Sequence, residues 1–229
     1  MRLILFDIDG TLLNARGAGR LAVGRALSTV YGATGPLERY DFRGKTDPQI
    51  VFELMRAAGR EAEDVRRSLD RFYDEYIGEL EALLADRTRV QVMPGVAELV
   101  PALAARGDAL VGLLTGNIER GAHVKLRSTG LLPLFSLGAY GSDDADRRRL
   151  PSIACARARA LTGRRFPFES VTIVGDTPLD IDCARACGAR VVAVATGHHP
   201  AEELAACAPD LLYEDFTDVA DVLRALTQA

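Results

Sequence analysis

Four carboxylates stand where phosphoryl transfer would need them. Asp7 and Asp9 follow the apolar run Leu3-Ile-Leu-Phe6 and lead into Gly10-Thr11-Leu12. Far downstream, Val171-Thr-Ile-Val-Gly175 runs into Asp176-Thr-Pro-Leu-Asp180. A carboxylate can attack phosphorus and become an aspartyl-phosphate. A second one, two residues along an extended strand end, faces the same way. It can protonate the departing alkoxide and then deprotonate the attacking water. Asp7 suits the first task and Asp9 the second. Acids gathered this closely repel one another unless a cation sits among them. A hard, oxygen-ligated ion such as Mg2+ is the natural partner of Asp7, Asp9, Asp176 and Asp180. It would also let a dianionic phosphate approach an anionic nucleophile. The same residue types also occur as helix caps and turns, and Asp180 suits a helix N-cap. The position of both acid groups, directly after apolar strands, favours the chemical reading.

A phosphate also needs donors and a protein cation. Leu113-Leu-Thr115-Gly116-Asn117 closes another apolar run. A hydroxyl and free backbone N–H groups there could hold a phosphoryl oxygen. Arg147, Arg148 and Arg149 lie just before Leu150-Pro151, where a helix should begin. One of them should reach the acids and stabilise the nucleophile and the pentacoordinate phosphoryl group. Arg147 is the expected one, with Arg148 the alternative. The histidines, His123, His198 and His199, are expected to have no catalytic part, and the last two should lie in a surface loop. Four cysteines, Cys155, Cys183, Cys187 and Cys207, form no C-x-x-C pair and read as free buried thiols.

These groups need a scaffold that gathers strand ends. Apolar runs predict strands near 2–6, 109–114, 137–140, 171–175 and 190–195, with a short edge strand at 211–213. Helical patterns alternate with them: Pro94 to Arg106, Glu119 to Ser128, Leu150 to Leu161, Asp180 to Cys187, and a tail from Phe216 to Thr227. Such alternation predicts an α/β fold, a Rossmann-like parallel sheet with right-handed crossovers. Ligands bind at the carboxyl edge of such sheets. Between Thr11 and about Arg89 the pattern changes. Ala18 to Tyr31, Asp47 to Ala58 and Glu61 to Leu84 read as helices, with no convincing strand. That stretch is too long for a single crossover. It reads as an inserted all-helical cap domain, residues 14–90, on a core of residues 1–13 and 91–229.

Bulk properties narrow the partners. With 229 residues, 48% of them hydrophobic, the chain can build one large domain or a domain with an insert. A net charge of −4 offers no global basic field for nucleic acid or an anionic membrane. No apolar stretch is long enough to span a bilayer, and the N-terminus lacks a secretory signal pattern. A cytoplasmic protein acting on a small phosphorylated metabolite, as monomer or homodimer, is the expectation.

The four stations, in this order, resemble the haloacid dehalogenase superfamily of phosphohydrolases. FDIDGTL is similar to its first motif, LLTGN to its second and GDTPLD to its fourth. RRRLP stands where the family usually has lysine and proline. The inserted helices resemble the family's C1 cap. The resemblance implies Asp7 as nucleophile, Asp9 as general acid/base, and Thr115, Gly116 and Asn117 as phosphate ligands. Asp176 would ligate Mg2+ with Asp7 and the main-chain carbonyl of Asp9, and Asp180 would act through water or a neighbour. It also implies a mobile turn after Asp9, which Gly10, Gly17 and Gly19 would permit. An acid at Asp9 argues for phosphate rather than halide leaving groups. The loop Arg43-Gly-Lys45-Thr-Asp47 is similar to the cap's substrate-specificity loop, with Arg43 or Lys45 contacting an anionic substrate. Three readings of function remain at this level. The first is a Mg2+-dependent phosphatase acting on a small ester such as phosphoglycolate. The second is a phosphosugar mutase of the β-phosphoglucomutase type. The third is a receiver-like phosphoacceptor module. A phosphonoacetaldehyde hydrolase with Lys45 as Schiff base is a further branch.

Overall fold

A computed structural model describes residues 1–228. Its sheet is made of the apolar runs that the sequence marks: β1 (Arg2–Phe6), β4 (Ala109–Thr115), β5 (Leu137–Tyr140), β6 (Val171–Gly175), β7 (Arg190–Val194) and β8 (Leu211–Tyr213), all parallel, in the order β5-β4-β1-β6-β7-β8. β1 is central, and Phe6 lies level with Leu113 on one side and Val174 on the other. The chain winds outward from β1 through β4 and β5, then returns to its other side at β6. That reversal opens a crevice beside the carboxyl end of β1, where doubly wound sheets bind ligands.

Both faces of the sheet are covered, which is why its strands are apolar along most of their length rather than alternating, with exceptions such as Arg2 and Arg190 at strand starts and Thr172 buried in β6. One face packs Ile4, Phe6, Val111, Val174 and Val192 into a large cluster shared with α1 (Ala18–Tyr31), α4 (Leu69–Leu84) and α5 (Val96–Ala104). The other packs Leu3, Leu5, Leu114, Ile173 and Val191 against α7 (Leu150–Thr162) and α8 (Pro178–Cys187).

Between β1 and α5 the chain is mainly helical: α1, α2 (Asp47–Ala57), α3 (Ala62–Arg67) and α4. The stretch read as one helix from Glu61 to Leu84 is two, interrupted at Ser68. A small antiparallel pair, β2 (Leu13–Asn14) with β3 (Gln91–Val92), ties the two ends of this region together. No local pattern foretells it, because two-residue strands carry no period. The predicted helix from Pro94 starts at Val96, since Gly95 is left-handed at φ 78° and lies against the Phe216 carbonyl. The predicted tail helix likewise starts late, at Val219 rather than Phe216. Phe216 is a buried core residue instead.

Candidate active site

Asp7 is the first residue past β1, and its N–H still donates to the Val174 carbonyl at 2.9 Å. This ladder bond fixes the nucleophile candidate between β4 and β6. Asp176 follows β6 directly. Asp180 sits one turn into α8, whose N-cap is Thr177 and not Asp180. The two form a reciprocal capping box: Thr177 Oγ1 accepts from the Asp180 N–H, and Asp180 Oδ2 accepts from the Thr177 N–H and hydroxyl. Asp180 is therefore held rigidly, with its other oxygen facing the crevice.

Asp7, Asp176 and Asp180 are all buried, and carboxylate oxygens from the three lie within 4.8 Å of one another. Burial pushes the Asp7 carboxyl up to about 6; Asp180 and Asp9 add to this, and Arg147 opposes it. Burial raises Asp176 well above the usual carboxylate range, with Asp7 and Asp180 pushing the same way. Such a cluster is the donor set that a hard divalent cation neutralises, so the residues fit Mg2+. Backbone crowds in to shape it. A Cβ on Gly10, itself at φ 89°, would fall 2.3 Å from Asp176 Oδ2, and one on Gly197 would fall 1.7 Å away. Thr11 donates its hydroxyl to Asp176 Oδ1 at 3.0 Å.

Of the three successive arginines, Arg147 is the one in the crevice. Its Nη2 donates to Asp7 Oδ1 at 3.0 Å and to Asp180 Oδ1 at 2.5 Å. Its Nη1 donates to the Gly44 carbonyl at 3.1 Å. Burial alone would lower this guanidinium's pKa, but Asp180 and Asp7 more than offset that and raise it. Arg148 turns outward to Asp182, and Arg149 is exposed near Asp144.

The end of β4 completes the crevice. Thr115 and Asn117 are buried, and Thr115 Oγ1 accepts from Asn117 Nδ2 at 2.9 Å. With its lone pairs engaged, that hydroxyl has its own hydrogen to give. Asn117 Nδ2 also donates to Asp9 Oδ2 at 2.8 Å. Asp9 does not join the three-acid cluster through its side chain. Lys125, on α6 (Glu119–Arg127), donates to Asp9 Oδ2 and to Asn117 Oδ1, both at 2.6 Å. Lys125 is buried and was not singled out in the sequence. Its only signal there is a lone lysine among apolar neighbours, Val124 and Leu126, on a short helix.

The helical region closes over this edge through the loop before α2. Asp47 N–H donates to the Gly116 carbonyl at 2.7 Å, and Asp47 Oδ2 accepts from the Ile118 N–H at 2.8 Å. Thr46 donates its hydroxyl to the Ala145 carbonyl at 2.8 Å. Gly116 must be glycine here, since a Cβ would meet the Lys45 carbonyl at 2.1 Å. Burial lifts Asp47 to about 6, with Lys125 and the Ile118 N–H pulling against it.

Arg43 and Lys45 both line the same pocket, of about 490 Å³, as Asp7, Asp9, Thr115 and Asp176. Neither makes a hydrogen bond or ion pair to those residues. Arg43 is exposed and paired in two-point fashion with Asp41, at 2.7 and 2.9 Å. Lys45 pairs with Glu53 at 2.7 Å and lies 4.3 Å over the Tyr40 ring. An amine locked in an ion pair is a poor Schiff-base nucleophile. Of the histidines, His198 and His199 both lie in the loop after β7; His198 is exposed and lines the pocket, whereas His199 is buried beside Glu203. The cysteines are free; Cys183 is buried and the other three are half-buried.

The model of the family described as haloacid dehalogenase-like hydrolase matches residues 4–194. The phosphoglycolate phosphatase of Synechococcus elongatus is 30% identical over 228 residues, which cover 100% of this chain and 98% of that protein. A hydrolase from Pseudomonas syringae superposes with a TM-score of 0.74 at 19% identity, covering 100% of both chains. CbbY from Rhodobacter sphaeroides, solved in complex with phosphate, superposes at 0.65 with 20% identity, covering 96% of each. The chain belongs to the haloacid dehalogenase-like hydrolase family. Within it, this protein is an enzyme of the phosphatase kind, a phosphoric monoester hydrolase.

Proposed function

We propose that this enzyme is a Mg2+-dependent phosphatase of small organic phosphomonoesters, phosphoglycolate among them, working through an aspartyl-phosphate on Asp7. The observation that carries the reading is Asp7 itself. It is buried at the tip of the central strand, oriented by Arg147, and shares an oxygen cluster with Asp176 and Asp180. The full-length similarity to a phosphoglycolate phosphatase supports the substrate.

In this mechanism the phosphoryl group sits among Thr115, the amides of Gly116 and Asn117, and Arg147. Arg147 holds Asp7 Oδ1, which leaves Oδ2 to attack phosphorus. Asp9, oriented through its Oδ2 by Asn117 and Lys125, presents Oδ1 to the leaving oxygen and gives it a proton. The same carboxylate then takes a proton from the water that cleaves the aspartyl-phosphate. Mg2+, held by Asp7, Asp176 and the Asp9 carbonyl with Asp180 behind them, would supply charge neutralisation for the approach of one anion to another. Residues 14–90 act as a cap: the loop 44–47 rests on the β4 end and on Arg147, excluding bulk water. Arg43 and Lys45 stand at the rim as candidate contacts for an anionic substrate.

The direct test is steady-state release of phosphate from phosphoglycolate with Mg2+, together with acid-quench trapping of labelled phosphoenzyme. Turnover that needs Mg2+, and label that is absent from Asp7→Asn, are expected. Full turnover in Asp7→Asn would sink the covalent route.

A further inference from the structure

The pocket beyond the phosphoryl site is lined by cations that differ in one respect: whether a carboxylate already answers them. Lys125 is answered by Asp9, and Arg147 by Asp7 and Asp180. Lys45 is answered by Glu53 and Arg43 by Asp41. Arg39 has no such partner among the described residues, but it is exposed on a turn. Arg20, on α1, is half-buried, lines the pocket and has no carboxylate partner among the described residues.

Arg20 is nonetheless held firmly. Its Nη1 donates to the Leu37 carbonyl at 2.6 Å and its Nη2 to the Tyr40 carbonyl at 2.8 Å. The guanidinium lies 4.3 Å over the Phe42 ring. Carbonyls and a ring face fix its plane without cancelling its charge, and a guanidinium has five N–H donors, more than these contacts use. A cation already fixed in orientation loses little freedom when an anion arrives. The start of α1 also borders the leaving-group side of the site. A Cβ on Gly19 would lie 3.5 Å from Lys125 Nζ, whose ammonium grips Asp9.

We propose that Arg20 is the specificity-determining residue for a carboxylate on the leaving group, so that the preferred substrates are phosphomonoesters of small hydroxy acids. This deepens the phosphatase reading and rests on it. The phosphoryl end occupies the Asp7 and Thr115 side, the alkoxide oxygen lies beside Asp9, and the carboxylate reaches across to the free edge of Arg20. The apolar collar of Tyr40 and Phe42 lowers the local dielectric and strengthens the pairing. Arg43 and Lys45, already neutralised, contribute less.

The test compares two esters that differ only at the far end: phosphoglycolate and ethyl phosphate, in which a methyl replaces the carboxylate. kcat/KM is measured for each with Mg2+ in the wild-type protein, Arg20→Met, Arg20→Gln and Arg20→Lys, after thermal unfolding has shown each variant folded. The wild-type protein should favour phosphoglycolate. Arg20→Met and Arg20→Gln should lower that preference on the order of 10- to 100-fold, chiefly through KM, and Arg20→Lys should restore part of it. The Gln variant keeps a donor for the loop carbonyls, so its loss reports charge and not loop collapse. A preference that survives both variants, or that collapses instead in Arg43→Met or Lys45→Met, overturns the assignment to Arg20. A wild-type protein inactive on both esters and on an aryl phosphate overturns the phosphatase reading itself, which is a different result.

Discussion

Lys125 fixes one oxygen of Asp9. An ammonium and a carboxamide both grip Oδ2, so the other oxygen faces the pocket. Lys125→Met should release this hold. With an aryl phosphate, whose leaving group needs no proton, the first step should survive better than the second. Stopped-flow should then show a burst of phenolate followed by turnover slowed on the order of 100-fold. Unchanged turnover would assign Lys125 to packing alone. If Asp7 attacks phosphorus as proposed, Asp7→Asn should cost about four orders of magnitude or more in kcat. Gly197→Ala is a third residue-scale change. Its Cβ would fall within bonding distance of Asp176 Oδ2, so that carboxylate must move, and Mg2+ titration by calorimetry should show weakened binding.

At the scale of elements, the loop 44–47 is the joint between the helical region and the sheet. Asp47 carries much of it, because its buried carboxylate is the acceptor for the Ile118 N–H. Its folded pKa, about 6, lies above the value of an unfolded aspartate. The folded chain therefore holds a proton that the unfolded chain releases. This group's contribution to stability is greatest below pH 4 and falls as pH rises to about 6. Asp47→Asn keeps an acceptor oxygen and removes the titration. Between pH 4 and 6, wild-type stability should fall relative to this variant by on the order of 1–3 kcal/mol in urea unfolding. A constant difference across that range would rule the mechanism out.

Elements were the most legible part of the sequence. Strands buried on both faces announce themselves as apolar runs, and each acid motif begins where such a run stops. That is why Asp7, Asp176 and the β4 end could be placed together before any coordinates. The cation was legible only as far as the arginine run: the sequence favours Arg147 with Arg148 as the alternative, and the contact of Arg147 with Asp7 separates them. What stayed hidden depends on contacts between distant segments. Lys125 looks like any helix lysine until Asp9, 116 residues earlier, comes within reach of it. Arg43 and Lys45 look like free cations until Asp41 and Glu53 are seen to answer them. The two-residue pairing of β2 with β3 is set by where the helical region must leave and rejoin the sheet, not by any local pattern.

For the whole molecule, the acids that repel one another join the first strand to the fourth motif. Binding of a divalent ion among them would thereby be coupled to the integrity of the entire sheet. Mg2+ at a hundredfold excess over its Kd should stabilise the protein by about 2.7 kcal/mol, visible as a rise in Tm. EDTA should lower Tm and abolish phosphate release together. An EDTA-treated protein with full activity would contradict the metal's role. No helix among the described residues is long and apolar enough to cross a membrane.

Arg147 touches the Gly44 carbonyl with one nitrogen and the Asp7 carboxylate with another. Any bulky phosphate, such as one borne on a protein side chain, would have to pry that loop aside to get in. Doing so would tug on the guanidinium that steadies Asp7, so an oversized guest would disarm the very group it came to meet. Size selection would then need no separate gatekeeper, because one arginine joins that loop to Asp7.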